Sequence, residues 1–173
     1  MTDTDTLLTT LSRCGWRIIR SQEGPGLLPP ALERRYPRLP PDLVSFLECL
    51  EKCENNSSTV WFLVRDDFHH AEEGRFRWDF HEQMSLDAAD SDQDLSEQIR
   101  AYWDQHLPFL FAVHSDYDYL AVDLSPDTFG QIVHGYMPEP EQSTPIAPSF
   151  GDFINAFERS LRGEATYPYN LFQ

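Results

Sequence analysis

The residues best suited to chemistry lie within residues 114–133, where four aspartates and two tyrosines are set between apolar runs. Closely spaced aspartates can supply the oxygen ligands that calcium prefers. A calcium loop of the EF-hand type starting at Asp116 would need an oxygen ligand at its fifth position, glycine at its sixth and glutamate at its twelfth. Those positions hold Leu120, Ala121 and Asp127. Because the motif fails, we expect these aspartates to be solvated or to accept hydrogen bonds from turn amides.

Other acidic residues and histidines could serve general acid-base catalysis. Adjacent acids occur at Asp66 and Asp67 and at Glu72 and Glu73, and histidines follow in D-D-F-H-H. Acid-base catalysis requires a geometry and shifted pKa values that such pairs alone do not establish. The sequence has no G-x-S-x-G, no Walker-type glycine loop, no G-x-G-x-x-G and no C-x-x-C. We therefore expect a protein without catalytic residues and without a cofactor.

The cysteines and histidines do not form a recognisable metal site. Cys14, Cys49 and Cys53 are too few for a disulfide framework, and the last two lie four residues apart in a segment that we predict to be helical. The six histidines provide no C-x2-C or H-x3-H pair that would complete a zinc site. We expect three free thiols and no metal.

The charge of the chain is strongly acidic and unevenly distributed. The formal net charge is −16, and residues 78–173 contain three basic and seventeen acidic side chains, whereas residues 1–77 contain ten and twelve. Such a surface repels phosphates and anionic lipids and attracts basic partners. We expect no binding to nucleic acid or membranes; acidity that serves only solubility, or adaptation to high salt, is the alternative interpretation.

Length and patterning predict one soluble α+β domain over residues 1–173. With 40% hydrophobic residues the chain can bury one sizeable core. No basic segment followed by a long apolar run opens the sequence, and no stretch approaches the roughly 18 apolar residues that span a bilayer. We therefore expect a cytoplasmic protein with a mixed, mostly antiparallel sheet flanked by helices.

Apolar periodicity places the elements of this domain. We predict helices over 4–14, from Pro41 through Cys53, over 95–106, and from a capping Ser149 to Gly163. We predict strands over 59–65, 75–81, 107–114, 119–123 and 131–136, with the last two joined as a hairpin by the turn 125–130. Residues 85–94 and 137–148 are predicted to be loops.

In this order, several segments resemble the SMI1/KNR4 family of the SUKH superfamily. They are Y-P-R-L-P-P-D-L-V-S-F-L-E-C-L, V-W-F-L, Y-W-D-Q-H-L-P-F-L-F-A, Y-D-Y-L-A-V-D with F-G-Q-I-V-H-G, and A-P-S-F-G-D-F-I. One departure is E-K-C-E-N-N, where the family usually has an asparagine-glycine turn. The matching motif residues are Pro40, Trp61, Asp118, Gly130 and Phe150, and the resemblance implies structural roles for them.

The resemblance implies an α+β domain without catalysis. Many bacterial members look like immunity proteins that neutralise a cognate toxin, often a nuclease or a deaminase, whereas fungal members regulate cell-wall synthesis and signalling. We therefore expect the partner to be a protein toxin with a basic surface. An intracellular adaptor that binds a host protein and a small-molecule-binding domain are the alternatives.

A candidate partner-binding face follows from the charge and the resemblance together. We expect its acids to come from the segment 85–94 and from the predicted hairpin, with Tyr117 as an aromatic anchor and Tyr119 as either an anchor or a core residue. The candidate residues are Asp87, Asp90, Asp92, Asp94, Asp116, Tyr117, Asp118 and Asp127.

Overall fold

The computed structural model describes residues 3–22, 24–71, 76–164 and 166–173. The helices in these ranges are α1 (Asp3–Arg13), α2 (Pro30–Arg35), α3 (Pro41–Glu48), α4 (Arg65–His69), α5 (Phe80–Ala89), α6 (Gln93–Trp103) and α7 (Phe150–Leu161). The strands are β1 (Arg17–Arg20), β2 (Leu50–Glu54), β3 (Val60–Phe62), β4 (His106–Ala112), β5 (Asp118–Asp123), β6 (Ile132–Gly135) and β7 (Thr144–Ala147). A short 3-10 helix covers Tyr169–Phe172.

The strands form one seven-stranded sheet whose spatial order is the order of the chain, β1 to β7. Each strand pairs antiparallel with the next, so the predicted α+β class is confirmed and all six pairings are antiparallel. In the centre, Phe111 of β4 lies opposite Tyr119 of β5, and Tyr119 lies opposite Gly135 of β6. Helices α2 and α3 lie in the connection from β1 to β2, and α4, α5 and α6 lie in the connection from β3 to β4, whereas within the described residues 106–147 the later strands follow one another without an intervening helix.

Helices α1, α3 and α7 cover one face of the sheet with aromatic packing. The ring of Phe46 in α3 lies 5.0 Å from that of Phe62 in β3, and Phe153 in α7 lies 5.5 Å from Phe109 in β4. Helix α1 packs directly against α7. The four rings are fully buried and form part of a single cluster of buried hydrophobic residues.

Helices α5 and α6 cover the opposite face. His81 of α5 packs 5.0 Å from the ring of Phe111 and 4.7 Å from that of Tyr119, and Trp103 of α6 packs 5.1 Å from Tyr119. Because helices lie on both faces, all six residues of β5 are buried. Tyr119 is therefore a core residue, which was one of its two expected roles.

The predicted last helix is confirmed as α7, together with its cap. The Ser149 hydroxyl accepts a hydrogen bond from the backbone N–H of Asp152 at 3.1 Å. Phe150, Phe153 and Phe157 then point into the core at helical spacing. Capping satisfies a backbone donor that the first turn would leave unpaired.

The predicted turn between β5 and β6 is also confirmed. Asp123 ends β5, and its carboxylate accepts hydrogen bonds from the side chains of Ser125 and Thr128 at 2.5 and 2.6 Å. Gly130 closes the turn with φ of +92°, a conformation that favours glycine, and its N–H donates to the Asp123 carbonyl. Asp123, one of the four aspartates of residues 114–133, therefore stabilises a turn.

Four predictions of elements were wrong. The helix that begins at Pro41 ends at Glu48, and Cys53 lies on β2. The segment 76–79 of the predicted strand over 75–81 is irregular, and α5 begins at Phe80. Helix α5 continues to Ala89 and so includes part of the predicted loop over 85–94. Arg75, Glu72 and Glu73 lie outside the described residues. The proline-rich loop contains β7, and β1 was not predicted.

Candidate partner-binding site

The acids of residues 87–94 lie at the tip of the helical hairpin formed by α5 and α6. Asp87, Asp90, Asp92 and Asp94 are all exposed. Asp92 also caps α6, since its carboxylate accepts from the N–H of Leu95 at 3.0 Å. Asp90 has φ of +50° and connects the two helices. We call these four aspartates the acidic tip.

Asp116 and Tyr117 lie in the turn between β4 and β5. Asp116 is exposed, and Tyr117 is 41% exposed with φ of +55°, which is strained for a residue with a side chain. The His81 ring donates a hydrogen bond from Nε2 to the Tyr117 carbonyl at 2.7 Å and thereby fixes this conformation. The Tyr117 ring packs 5.8 Å from that of Phe80.

Helix α5 connects Tyr117 to the acidic tip along one exposed surface. Phe80, Met84 and Asp87 are spaced by four and three residues and therefore share one side of the helix. Phe80 is half-buried, while Met84 is 42% exposed and Asp87 is exposed. The structure thus brings Asp116, Tyr117 and Asp87 onto one surface that continues to the other acids of the tip.

Asp118 does not belong to this surface, contrary to the sequence expectation. It is 3% exposed, and its carboxylate accepts hydrogen bonds from His134 Nε2 and Ser115 Oγ, both at 2.7 Å. Burial alone would raise the pKa of the Asp118 carboxyl, but these hydrogen bonds outweigh it and hold that pKa below its usual value. A partner cannot reach this carboxylate, so its role is structural.

Asp127 is exposed but lies far from the other candidates. It sits in the turn after β5, whereas Asp116 precedes the same strand. The six residues of β5 span roughly 20 Å. Asp127 and Asp116 are therefore at opposite ends of the sheet, and the candidate residues do not form one face.

The partly buried guanidinium of Arg35 is paired within the fold. Arg35 of α2 donates to both carboxylate oxygens of Glu82 at 2.9 and 2.8 Å and to Asp104 at 2.7 Å. Its guanidinium also lies over the rings of Tyr36 and Trp78. This geometry ties α2 to the start of α5 and the end of α6, and it leaves the guanidinium few free donors.

The protein surface also has an open groove away from these residues. This groove, of about 520 Å³, lies between β7 and α7 and is bordered by Ile146, Asp152, Arg159 and Tyr169.

No group of three or more histidine, cysteine or acidic residues in the described ranges is arranged to hold a metal ion. Likewise, no helix in this part of the chain has the length and apolar character that crossing a membrane requires.

Two further exposed aromatic residues near Asp116 were not among the sequence candidates. Tyr136 follows β6 and is 45% exposed, and Tyr167 precedes the 3-10 helix and is 68% exposed. The Met137 N–H donates to the Asp116 carbonyl at 3.0 Å, which brings the Tyr136 segment beside the β4–β5 turn. Tyr136 is the last residue of the predicted strand 131–136, and the sequence pattern there does not distinguish an exposed ring from a buried one.

The fold and the site together define a small α+β domain with an exposed, acidic and aromatic surface. A family model described as SMI1 / KNR4 family (SUKH-1) matches residues 31–156. This match covers well over half of the chain, and the chain belongs to that family. A search of curated proteins found no match.

Proposed function

We propose that this protein is an immunity protein that binds a basic toxin domain and blocks it without catalysis. The concentration of charge supports this most directly, since residues 78–173 contain seventeen of the 29 acidic side chains and only three of the 13 basic ones. Membership of the SMI1/KNR4 family is consistent with such a role.

The proposed contact surface consists of the acidic tip and the exposed side of α5. A toxin that acts on nucleic acid needs a basic groove to hold phosphates, and an acidic protein surface can occupy that groove. Complementary charge also accelerates the encounter, which is an advantage when a toxin must be trapped before it acts. The partner in this proposal is a protein domain with a lysine- and arginine-rich surface.

The direct test measures binding of the purified protein to the product of the nearest toxin-like reading frame. We expect binding that weakens as salt is raised, because exposed charges are screened. Inhibition of the toxin's activity in the same mixture would establish neutralisation. Absence of binding to that product, and of any inhibition of its activity, would refute the proposal.

Charge reversal locates the contact. Asp87→Lys combined with Asp94→Lys changes the acidic tip, while the strained Asp90 and the capping Asp92 stay unchanged because their replacement would disturb the helices. The control reverses Glu51 and Asp127, two exposed acids elsewhere, and alters the net charge equally. We expect the tip variant to bind at least about tenfold more weakly than the control variant. Equal affinities would exclude the acidic tip from the contact.

A further inference from the structure

The seven tyrosines of the chain fall into two groups. The hydroxyls of four donate to or share hydrogen bonds with other groups of the fold: Tyr36 with the Trp103 carbonyl, Tyr102 with Ser143, Tyr119 with the Pro140 carbonyl and Tyr169 with the Ile146 carbonyl. Tyr117, Tyr136 and Tyr167 are 41%, 45% and 68% exposed, and their hydroxyls have no hydrogen-bond partner among the described residues. Within the described part of the chain, these three hydroxyls therefore form no hydrogen bond that would stabilise the fold.

The three exposed tyrosines lie at the same end of the sheet, around Asp116. Tyr117 follows Asp116 directly, and Asp116 is held against Met137, the neighbour of Tyr136, by a backbone hydrogen bond of 3.0 Å. The rings of Tyr136 and Tyr167 both lie 5.7 Å from the ring of His134. Partial burial, followed by the charges of nearby groups that include Asp116, raises the pKa of Tyr167.

Neighbouring side chains restrict each of the three rings. The hydrogen bond from His81 to the Tyr117 carbonyl fixes the backbone of Tyr117, and its ring packs on the half-buried Phe80. Tyr136 and Tyr167 pack on His134, whose own ring is fixed by the buried carboxylate of Asp118. Rings that are ordered before binding lose little conformational entropy in a complex, which makes them effective anchors.

We propose that Tyr117, Tyr136, Tyr167 and Asp116 form a binding site for an arginine-bearing segment of the partner protein. We call these four residues the tyrosine end. The inference rests on the proposed function, since it names the surface and the chemistry by which the toxin domain is held.

Arginine fits the tyrosine end better than other groups. A guanidinium can stack on phenol rings and at the same time donate a pair of hydrogen bonds to a carboxylate. Asp116 is exposed and has no hydrogen-bond or ionic partner for its carboxylate in the described ranges. The same carboxylate repels phosphates, and the acidity of the chain disfavours a second copy of itself as the occupant.

Chemical footprinting tests the site without altering the fold. Tetranitromethane nitrates accessible tyrosines, and mass spectrometry locates the products in the free protein and in its complex with the toxin. We expect Tyr117, Tyr136 and Tyr167 to react in the free protein and to be protected in the complex. The buried tyrosines serve as internal controls. Equal nitration of the three rings in the free and bound protein would overturn the inference.

Substitution measures how much the rings contribute to affinity. The triple variant Tyr117→Ala, Tyr136→Ala, Tyr167→Ala should bind the toxin at least about 100-fold more weakly, because aromatic anchors dominate protein interfaces. The triple Tyr→Phe variant keeps the ring faces and should lose much less. Ile19→Ala removes an exposed side chain on β1 and should leave binding unchanged. A triple alanine variant with unchanged melting temperature and wild-type affinity would contradict the site.

A modified toxin tests the choice of arginine. After its arginines are blocked with phenylglyoxal, the wild-type protein and the triple alanine variant should bind with equal affinity. A difference that persists would overturn the assignment of arginine. Absence of binding between wild-type protein and untreated toxin would instead refute the proposed function, and this inference with it.

Discussion

His81 makes the stability of this fold depend on pH. It is 2% exposed, its Nε2 donates to the Tyr117 carbonyl, and its Nδ1 has no hydrogen-bond partner in the described structure. Burial lowers the pKa of His81 from 6.5 to about 4, against smaller opposing effects of this hydrogen bond and of Asp118. Protonation would place a charge among aromatic rings.

The sign of the effect follows from the direction of the pKa shift. Between 6.5 and about 4 the unfolded chain binds a proton at this position that the folded chain does not, so stability falls as the pH is lowered. From these two values we expect His81 to remove about 2 kcal/mol of unfolding free energy between about pH 7 and about pH 5. Most of this loss of unfolding free energy occurs while the pH is still above the pI of about 4.5, at which the solubility of a protein is lowest.

The assay is urea unfolding at several pH values, with His81→Gln as the comparison. The glutamine amide can donate to the same carbonyl but does not titrate. His106 and Asp118 also titrate differently in the folded protein, yet they are present in both proteins, so their effects cancel in the difference. Parallel losses of stability in wild type and variant between about pH 7 and about pH 5 would refute the reasoning.

Three substitutions test the packing. Gly135→Ala places a methyl group within 2.5 Å of the Tyr119 ring, so we expect a loss of about 1 to 3 kcal/mol of unfolding free energy; an unchanged melting midpoint would contradict this. Glu82→Gln breaks a buried pair with Arg35 and should cost about 3 kcal/mol in urea unfolding, whereas a cost typical of surface pairs would show that the pair is not desolvated. Ser149→Ala removes the cap of α7 and should cost about 1 kcal/mol in thermal unfolding, with the threonine variant close to wild type.

Elements with clear apolar periodicity could be predicted from the sequence. The stripe of phenylalanines and the cap signature located α7, and the turn residues located the hairpin of β5 and β6. In both cases local preference and burial agree, which is the condition under which sequence patterns are reliable.

Helix α5 could not be predicted because polar residues form part of its buried side. His81, Glu82 and Ser85 face the interior, where they form hydrogen bonds with the Tyr117 carbonyl, Arg35 and Glu141 respectively. Those partners are distant in sequence, so no apolar period was present to indicate a helix.

The strand β7 and part of the site also could not be predicted from local sequence. Pro145 argues against a strand, but β7 lies at the edge of the sheet, where a missing N–H is tolerated. The sequence around Asp118 is typical of a surface acid, and its partner His134 lies sixteen residues away in the sequence. Tyr136 and Tyr167 are thirty-one residues apart in the sequence, and only folding brings both rings against His134.

The succession of strands has a consequence for the way the protein is made. Each strand pairs with the one synthesised just before it, so the sheet can grow as the chain leaves the ribosome. The helical layer behaves differently, because α1 packs on α7 and Thr10 donates to Glu158 across nearly the whole chain. Helix α1 can therefore complete its packing only after α7 has been synthesised, and we expect the nascent chain to gain this part of its stability only when α7 has left the ribosome.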